Sequence, residues 1–560
     1  MRLGYTVYNA TDPISQMTNP PTGRPPTRAQ HGLVTSPHYL ASSTGLDILR
    51  DGGSAVDAAI ATNATLCVVY PHMAGLGGDG FWLVADGEDD VSAINASGPA
   101  GHAATRDYYA DADEIPERGA ASALTVPGAV DGWRLAHEKH GKLPWERLFD
   151  DAIAHAREGF PITEKLVRWL DLDADVLEAD RTAAETFLVD GAAPDPGTVL
   201  RQPDLADSLE TIARLGPREG FYDGPIADAF CQGVGEESPL EPTDFETFRA
   251  EWVDPLSTSY RGYTAHSFPP NTQGIAALQI LGLLEGFDVE SWGDGTADYY
   301  HHMVEAVKVA FADRDAWITD PGAIDFPAET LLSSDYLDER RELIAPSESL
   351  PADVDPGIVP VDSQPTSQNG DGDTCYLAIV DEDGLAVSMI QSIYYDFGSG
   401  IVAGDTGIIP QNRGSFFSLD PGHINSLAPG KRTFHTLIPS LLTKDGTPHL
   451  LYGTMGGEGQ PQTQAALVSR IVDFGYDVQA AIEAPRWLFG RTWGSESKSL
   501  SLEGRIPDDV ATDLQQRGQP VAMARDFDDR MGHAAAIKLH GDGTLEGGAD
   551  PRGDGAALGY

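Results

Sequence analysis

Basic residues are scarce. The 560-residue chain carries 37 Lys and Arg against 86 Asp and Glu, a formal net charge of −49. The acidic residues are spread through well-patterned segments rather than gathered in a tail. Such a field repels nucleic acid and anionic membranes, so neither is an expected partner. It suits cationic partners or a chain adapted to high salt, where charge is screened within about 3 Å at 1 M. The even spread favours salt adaptation and a halophilic source. Cysteine is nearly absent too: Cys67, Cys231 and Cys375 include no C-x-x-C pair and cannot all be joined within one chain. That excludes a disulfide framework, argues against a structural zinc and fits a reducing compartment. No apolar run approaches the roughly 18 residues that cross a bilayer. The opening MRLGYTVYNATDPISQM lacks the basic-then-apolar pattern of a secretory leader, so the expected location is cytoplasmic.

Several chemistries lack their signatures. HExxH, P-loop and GxSxG patterns are missing, and there is no internal repeat. His301 and His302 have no suitably spaced carboxylate or histidine, so no metal is expected. Gly75, Gly77 and Gly80 satisfy G-x-G-x-x-G, but that fingerprint needs a strand before it and a helix after it. Here PHMA precedes and the strand-like FWLVADG follows, which excludes a dinucleotide site. DLDADVLEADRT, from Asp171, starts like an EF-hand but lacks its Gly and closing Glu, and reads as a solvated helix face. No cofactor is expected.

What is present is an ordinary apolar content of 41% in a chain long enough for a large core or two intimately packed halves. Residues 1–30, rich in Pro, Thr and Asn, read as an extended arm. Ser54–Val69 has helical spacing behind a Gly-Gly-Ser entry. Asp204–Leu215 and Ile275–Phe287 read as amphipathic helices. Asp298–Ile318 is a longer one, with Met303, Val304, Val307 and Phe311 on one side. Gly541–Tyr560 reads as loop-rich.

The most informative stretch is Gly372–Gly398. A polar run rich in Pro, Gly and Asp ends abruptly at Thr374, and the apolar run Cys375–Val380 begins. An Asp-Glu-Asp-Gly turn and a second apolar run, Leu385–Ile390, complete a β-hairpin. Locally, Thr374 can be read simply as a strand-initiating Thr. It can also be read as a latent nucleophile. If the Asp373–Thr374 bond is cut, Thr374 gains a free α-amine, with a pKa near ~8, able to take its hydroxyl proton. A rival cut placing Cys375 first would put the nucleophile on the opposite face of the strand.

The run DT-x-Y-x-x-x-VD-x-DG-x-AVS-x-x-QS…FGSG resembles the nucleophile strand of the γ-glutamyltranspeptidase family. Further segments resemble the family in the same order, among them HGLVTSPHYLASSTGLDILRDGGSAVDAAIA, GLGGDGFWLV, GKLPWERLFDDAIAHAREGFPI and GTMGGEGQPQ. The similarity runs from about His31 to beyond Arg486 and weakens after about Arg491. It implies an N-terminal-nucleophile fold, an α/β four-layer αββα sandwich whose central sheets draw on Gly78–Val84, Thr374–Ser392 and Leu437–Gly453. It further implies self-cleavage between Asp373 and Thr374 into segments 31–373 and 374–560 that stay together as a heterodimer. Thr374 would be the nucleophile, with Ser392 as an assisting hydroxyl and Gly456 and Gly457 as oxyanion donors. The substrate would be a small-molecule amide. GSGIVAGDTGIIPQNRGSFFS resembles the family's loop over the substrate pocket.

The family's γ-glutamyl clamp is where this chain departs. Ser97 stands at the Arg position, His435 and Thr436 at the paired serines, Phe416 at the Asp and Tyr394 at an Asn. Arg413 or Arg106 remains as a possible substitute cation. The bond-breaking set is intact while the amino-acid clamp is largely gone, which implies an amidohydrolase or acyltransferase with altered acyl specificity. True γ-glutamyl transfer or glutathione hydrolysis is the alternative. A non-catalytic binding protein on the same fold is the alternative of another class.

Overall fold

In the computed structural model, two seven-stranded sheets lie face to face between two helical layers. The residues described are 20, 22–358, 373–490 and 498–560, with Asp373 described by its backbone alone. Most of the N-terminal arm (residues 1–19) and most of the linker before Thr374 (residues 359–372) lie outside them.

One sheet runs Ala556–Gly559, Leu33–Ser36, Asp373–Val380, Ala386–Tyr394, Asp79–Ala85, Val91–Ala96, Glu251–Val253. The other runs Thr27–Ala29, Leu545–Ala549, Ala534–Leu539, Thr447–Thr454, Ser440–Lys444, Tyr263–Ser267, Leu256–Tyr260. All pairings within these sheets are antiparallel. Each sheet therefore mixes strands from before and after Thr374.

The period-2 alternation of the strands assigns the layers. Tyr376, Ala378, Phe81, Leu83, Ile390, Leu441, Leu451 and Ile537 meet between the sheets. Cys375, Leu377, Val387, Met389 and Trp82 face the first helical layer, which includes Ala55–Val69. That helix starts on a capping box, with Ser54 and Asp57 bonding each other's backbone N–H, and it is buried along its whole length. The second helical layer covers Leu442, Leu450 and Tyr452 with Gly274–Glu285, Ala297–Trp317 and Gln460–Val472.

Two expectations change. Gly274–Glu285 is not amphipathic: every residue from Gly274 to Leu284 is buried, because the helix is sandwiched between its sheet and the Ala297–Trp317 helix. The C-terminus is not loop-rich: Leu545–Ala549 and Ala556–Gly559 join the two sheets. Those segments are Gly- and Ala-rich with weak β-propensity. They are held instead by long-range pairing and by a buried ion network. In it Arg552 binds Glu503 through Nε and Nη2 at 2.7 and 2.8 Å and Asp550 at 3.1 Å, and Arg486 also pairs with Asp550. His301 and His302 are structural. The first bonds the Ala345 carbonyl at 2.8 Å, and the second bonds the Asp298 carbonyl at 2.7 Å and stacks on Trp292. No helix among the described residues is long and apolar enough to cross a membrane.

The net charge of −49 should make the fold salt-dependent. Self-repulsion among carboxylates is weakly screened at ~0.1 M salt and strongly screened at ~3 M. The melting temperature should be higher at ~3 M than at ~0.1 M. Equal values would contradict salt adaptation.

Candidate active site

Thr374 begins the inward face at one end of the sandwich. It is fully buried, and its Oγ1 has no hydrogen-bond partner among the described residues. A register irregularity falls between Asp373 and Cys375, with Asp373 opposite Tyr394 and Cys375 opposite Gln391. Cys375 faces the helix layer, in the core packed around Ala55–Val69. Burial pushes its thiol up to about 12, so it is protonated and apolar in character.

Ser392 lies on the adjacent strand with the same inward parity as Ile390, directly opposite Asp79. Its Oγ accepts the Tyr394 N–H at 2.7 Å. Gly78 lets these strands approach: a β-carbon there would overlap the Ser392 carbonyl, and one at Gly77 would overlap the Ile409 carbonyl. Of the glycines in the false dinucleotide fingerprint, Gly77 is therefore a close-approach position, while Gly80 has ordinary van der Waals room. The loop after Tyr394 packs across them, with Gln411 N–H bonding the Gly77 carbonyl at 3.0 Å.

The opposing sheet contributes Gly456 and Gly457, just beyond the strand Thr447–Thr454. Gly453 lies over Tyr376, two residues from Thr374, where a β-carbon would overlap the tyrosine ring. Gly456 sits at φ +121° and Gly457 at +49°. The first of these is a conformation that only glycine adopts without strain. The turn is tied down on several sides. Gln273 Nε2 donates to the Thr436 and Gly457 carbonyls at 2.8 and 2.9 Å. Arg314 donates to Gln273 Oε1 at 3.0 Å and to Glu458 at 2.9 Å. Met455 N–H bonds the His533 carbonyl at 3.1 Å.

Around these groups lie the positions where the sequence departs from the family it resembles. Arg413 is buried, its Nη2 donates to Thr436 Oγ1 at 3.2 Å, and its guanidinium carbon is 3.7 Å from the centroid of the Tyr394 ring. Tyr394 is held at φ +83°, which costs on the order of 1–3 kcal/mol for a residue with a β-carbon. Phe416 stacks on Phe434 at 4.9 Å and meets Tyr394 edge-on at 6.0 Å, so this wall is aromatic. Ser97 is closed into its own network. Its Oγ donates to Asn95 Oδ1 at 2.7 Å and accepts from Asn271 at 3.3 Å, and its carbonyl accepts from Arg432 at 3.0 Å. Arg106 is exposed, so of the two substitute cations named from the sequence only Arg413 is buried at this site.

Sequence reasoning passed over Asp79, the polar head of the otherwise apolar strand DGFWLVA. Its Oδ1 accepts from Gly98 N, Gly128 N and Gln411 Nε2 at 3.0, 3.2 and 3.0 Å, and its Oδ2 faces His435 Nε2 at 3.2 Å. His435 Nδ1 accepts the Leu437 N–H at 3.4 Å, so Nε2 carries the proton. Burial, and then the Arg413 charge, hold this imidazole neutral, well below its usual pKa. Burial also pushes the Asp79 carboxyl up to about 7, against the donors around it. An unfolded Asp titrates near ~3.9. Asp79's contribution to stability is therefore full below about 4 and lost as pH rises through about 7. Melting temperatures of wild type and Asp79→Asn from pH 4 to 8 should show the wild type losing ground to the variant across that window. A constant difference would contradict the assignment.

Comparison with known proteins places this geometry. The family model for gamma-glutamyltranspeptidase matches residues 41–560. The chain is 46% identical over 529 residues to a glutathione hydrolase-like YwrD proenzyme of Bacillus subtilis, covering 94% of this chain and 98% of that one. It is 44% identical over 536 residues to an oxamate amidohydrolase proenzyme of Klebsiella pneumoniae, covering 95% and 98%. The crystal structure of a cephalosporin acylase from Bacillus halodurans superposes with a TM-score of 0.88 at 37% identity, covering 98% of this chain and 99% of that one.

Proposed function

The chain belongs to the γ-glutamyltranspeptidase family of N-terminal-nucleophile hydrolases, and from that premise we propose that it is a self-processing amidohydrolase whose nucleophile is Thr374. The observation that carries this reading is the buried Thr374 Oγ1 at the head of its strand, without a hydrogen-bond partner among the described residues and with Ser392 beside it on the same face. In the precursor, Oγ1 attacks the Asp373 carbonyl and the peptide bond becomes an ester. The C–N bond breaks in that shift and frees the Thr374 α-amine, and water then hydrolyses the ester to the Asp373 carboxylate and the Thr374 hydroxyl. The proenzyme names of the relatives support this step. Residues 31–373 and 374–560 would remain one particle, because each sheet interleaves strands from both.

In the mature enzyme the neutral α-amine takes the Oγ1 proton as the oxygen attacks an amide carbonyl, with Ser392 assisting. The tetrahedral oxyanion is met by N–H groups of the Gly456–Gly457 turn, where the absence of side chains permits close approach. The amine leaves, and water or an acceptor amine releases the acyl group from Thr374. The acyl pocket would be formed by Ser97, Tyr394, Arg413, Phe416, His435 and Thr436. Glutathione hydrolysis is the competing reading, favoured by the name of the Bacillus relative. Against it stand an aromatic wall at Phe416 and a closed network at Ser97, which offer an α-ammonium no free acceptor.

Acid quenching during turnover of a slow acyl anilide tests the chemistry. Peptide mass mapping should find the acyl group on the peptide beginning at Thr374. Acylation at any other residue would contradict the assignment.

A further inference from the structure

One buried charge of that pocket takes no part in the bond-breaking steps just described. Arg413 is 1% exposed, and a single donor, Nη2, reaches an acceptor, Thr436 Oγ1. Its Nε and both N–H bonds of Nη1 meet none among the described residues. The Tyr394 face steadies the guanidinium plane but satisfies no in-plane N–H. Burial lowers the Arg413 pKa to about 10, so the group is still a cation at neutral pH. Asp79, a carboxylate whose charge acts on Arg413, is occupied by Gly98, Gly128, Gln411 and His435. Thr436, Tyr394, Phe416 and neutral His435 bring no countercharge. Orphaned donors on a buried cation are costly unless an anion completes them.

The backbone register says which side of the scissile bond this cation serves. Tyr394, whose ring covers Arg413, is the cross-strand partner of Asp373, the residue on the acyl side of the proposed cleavage. A substrate acyl group replacing Asp373 would enter beside Arg413.

We propose that Arg413 is the receptor for a carboxylate on the acyl portion of the substrate, so that the natural substrates are monoamides of short dicarboxylic acids. This rests on Thr374 as the nucleophile. The arrangement inverts an amino-acid clamp: it supplies a cation and aromatic faces, and among the described pocket residues no anion for an ammonium.

The test compares glutaryl and pentanoyl p-nitroanilides, equal in chain length, on the processed enzyme at one ionic strength. Wild type should prefer the glutaryl compound in kcat/KM by roughly a hundredfold. Arg413→Met should collapse that ratio to within a few-fold, chiefly through KM, and Arg413→Lys should retain an intermediate preference. Thermal denaturation gives a readout independent of turnover and of whether Arg413→Met folds. Dicarboxylates from oxalate to glutarate should raise the melting temperature of wild type, at least one of them strongly, and the uncharged pentanamide should not. An unchanged ratio in the Arg413 variants, or no protection by any dicarboxylate, overturns the inference. A wild type that hydrolyses neither anilide yet is protected by a dicarboxylate supports the Arg413 site and counts against the Thr374 reading instead.

Discussion

Thr374→Ala should remain a single chain of 59.8 kDa and lose amide hydrolysis by a factor on the order of 10⁴ or more. The substitution deletes the oxygen proposed to attack in both reactions and leaves the backbone intact. Alanine suits the fully buried site sterically, and the lost hydroxyl has no hydrogen-bond partner among the described residues to leave unsatisfied. Stability should therefore change little, within about 1 kcal/mol. Self-processing and catalysis should disappear together while the melting temperature in high salt is nearly kept. Thr374→Ser preserves the nucleophile class and should still process. Cys375→Ala should process and turn over, because that thiol faces the opposite side of the strand in a protonated, apolar setting. If Thr374→Ala splits and Cys375→Ala does not, the nucleophile has been misassigned by one residue.

Wild type should handle a glutaryl anilide better than the matched γ-glutamyl anilide by roughly thirty- to several-thousand-fold. The two substrates differ by one α-ammonium. Placing that ammonium beside Phe416, Tyr394 and Arg413 removes its hydration without supplying a carboxylate, at a cost of roughly 2–5 kcal/mol. At about 1.4 kcal/mol per decade this gives the stated range in kcat/KM. The closed Asn95–Ser97–Asn271 network offers no replacement acceptor, and both oxygens of Asp79 are engaged. A preference for the γ-glutamyl compound would mean that another group binds the ammonium, and the pocket assignment would fall.

The hairpin and its nucleophile candidate were legible in the sequence because two apolar runs flank an Asp-Glu-Asp-Gly turn and a polar linker stops abruptly at Thr374. Local signal and tertiary structure agree there, and the strands Asp373–Val380 and Ala386–Tyr394 follow the predicted runs closely. The strands Leu545–Ala549 and Ala556–Gly559 were illegible because LEGGA and AALG carry almost no intrinsic preference. Long-range pairing and the Arg486–Asp550–Arg552–Glu503 network define them. For the helix Gly274–Glu285, periodicity failed because both faces are covered and no polar stripe is needed. Within the site, Thr374, Ser392, Gly456 and Gly457 could be named from motifs. Asp79 could not, because its meaning lies in four donors brought from distant segments. Arg413 was visible as a cation, but its unpaired donors and its place over Tyr394 are facts of packing.

The central claim is that a free Thr374 amine exists in the working enzyme. Denaturing electrophoresis of purified wild type after incubation in high salt, with N-terminal sequencing of each band, tests it most directly. The claim predicts two pieces, about two-thirds and one-third of 59.8 kDa by chain position, the smaller beginning Thr-Cys-Tyr-Leu. A single intact chain that nevertheless hydrolyses amides, or a smaller piece beginning at Cys375, would contradict it.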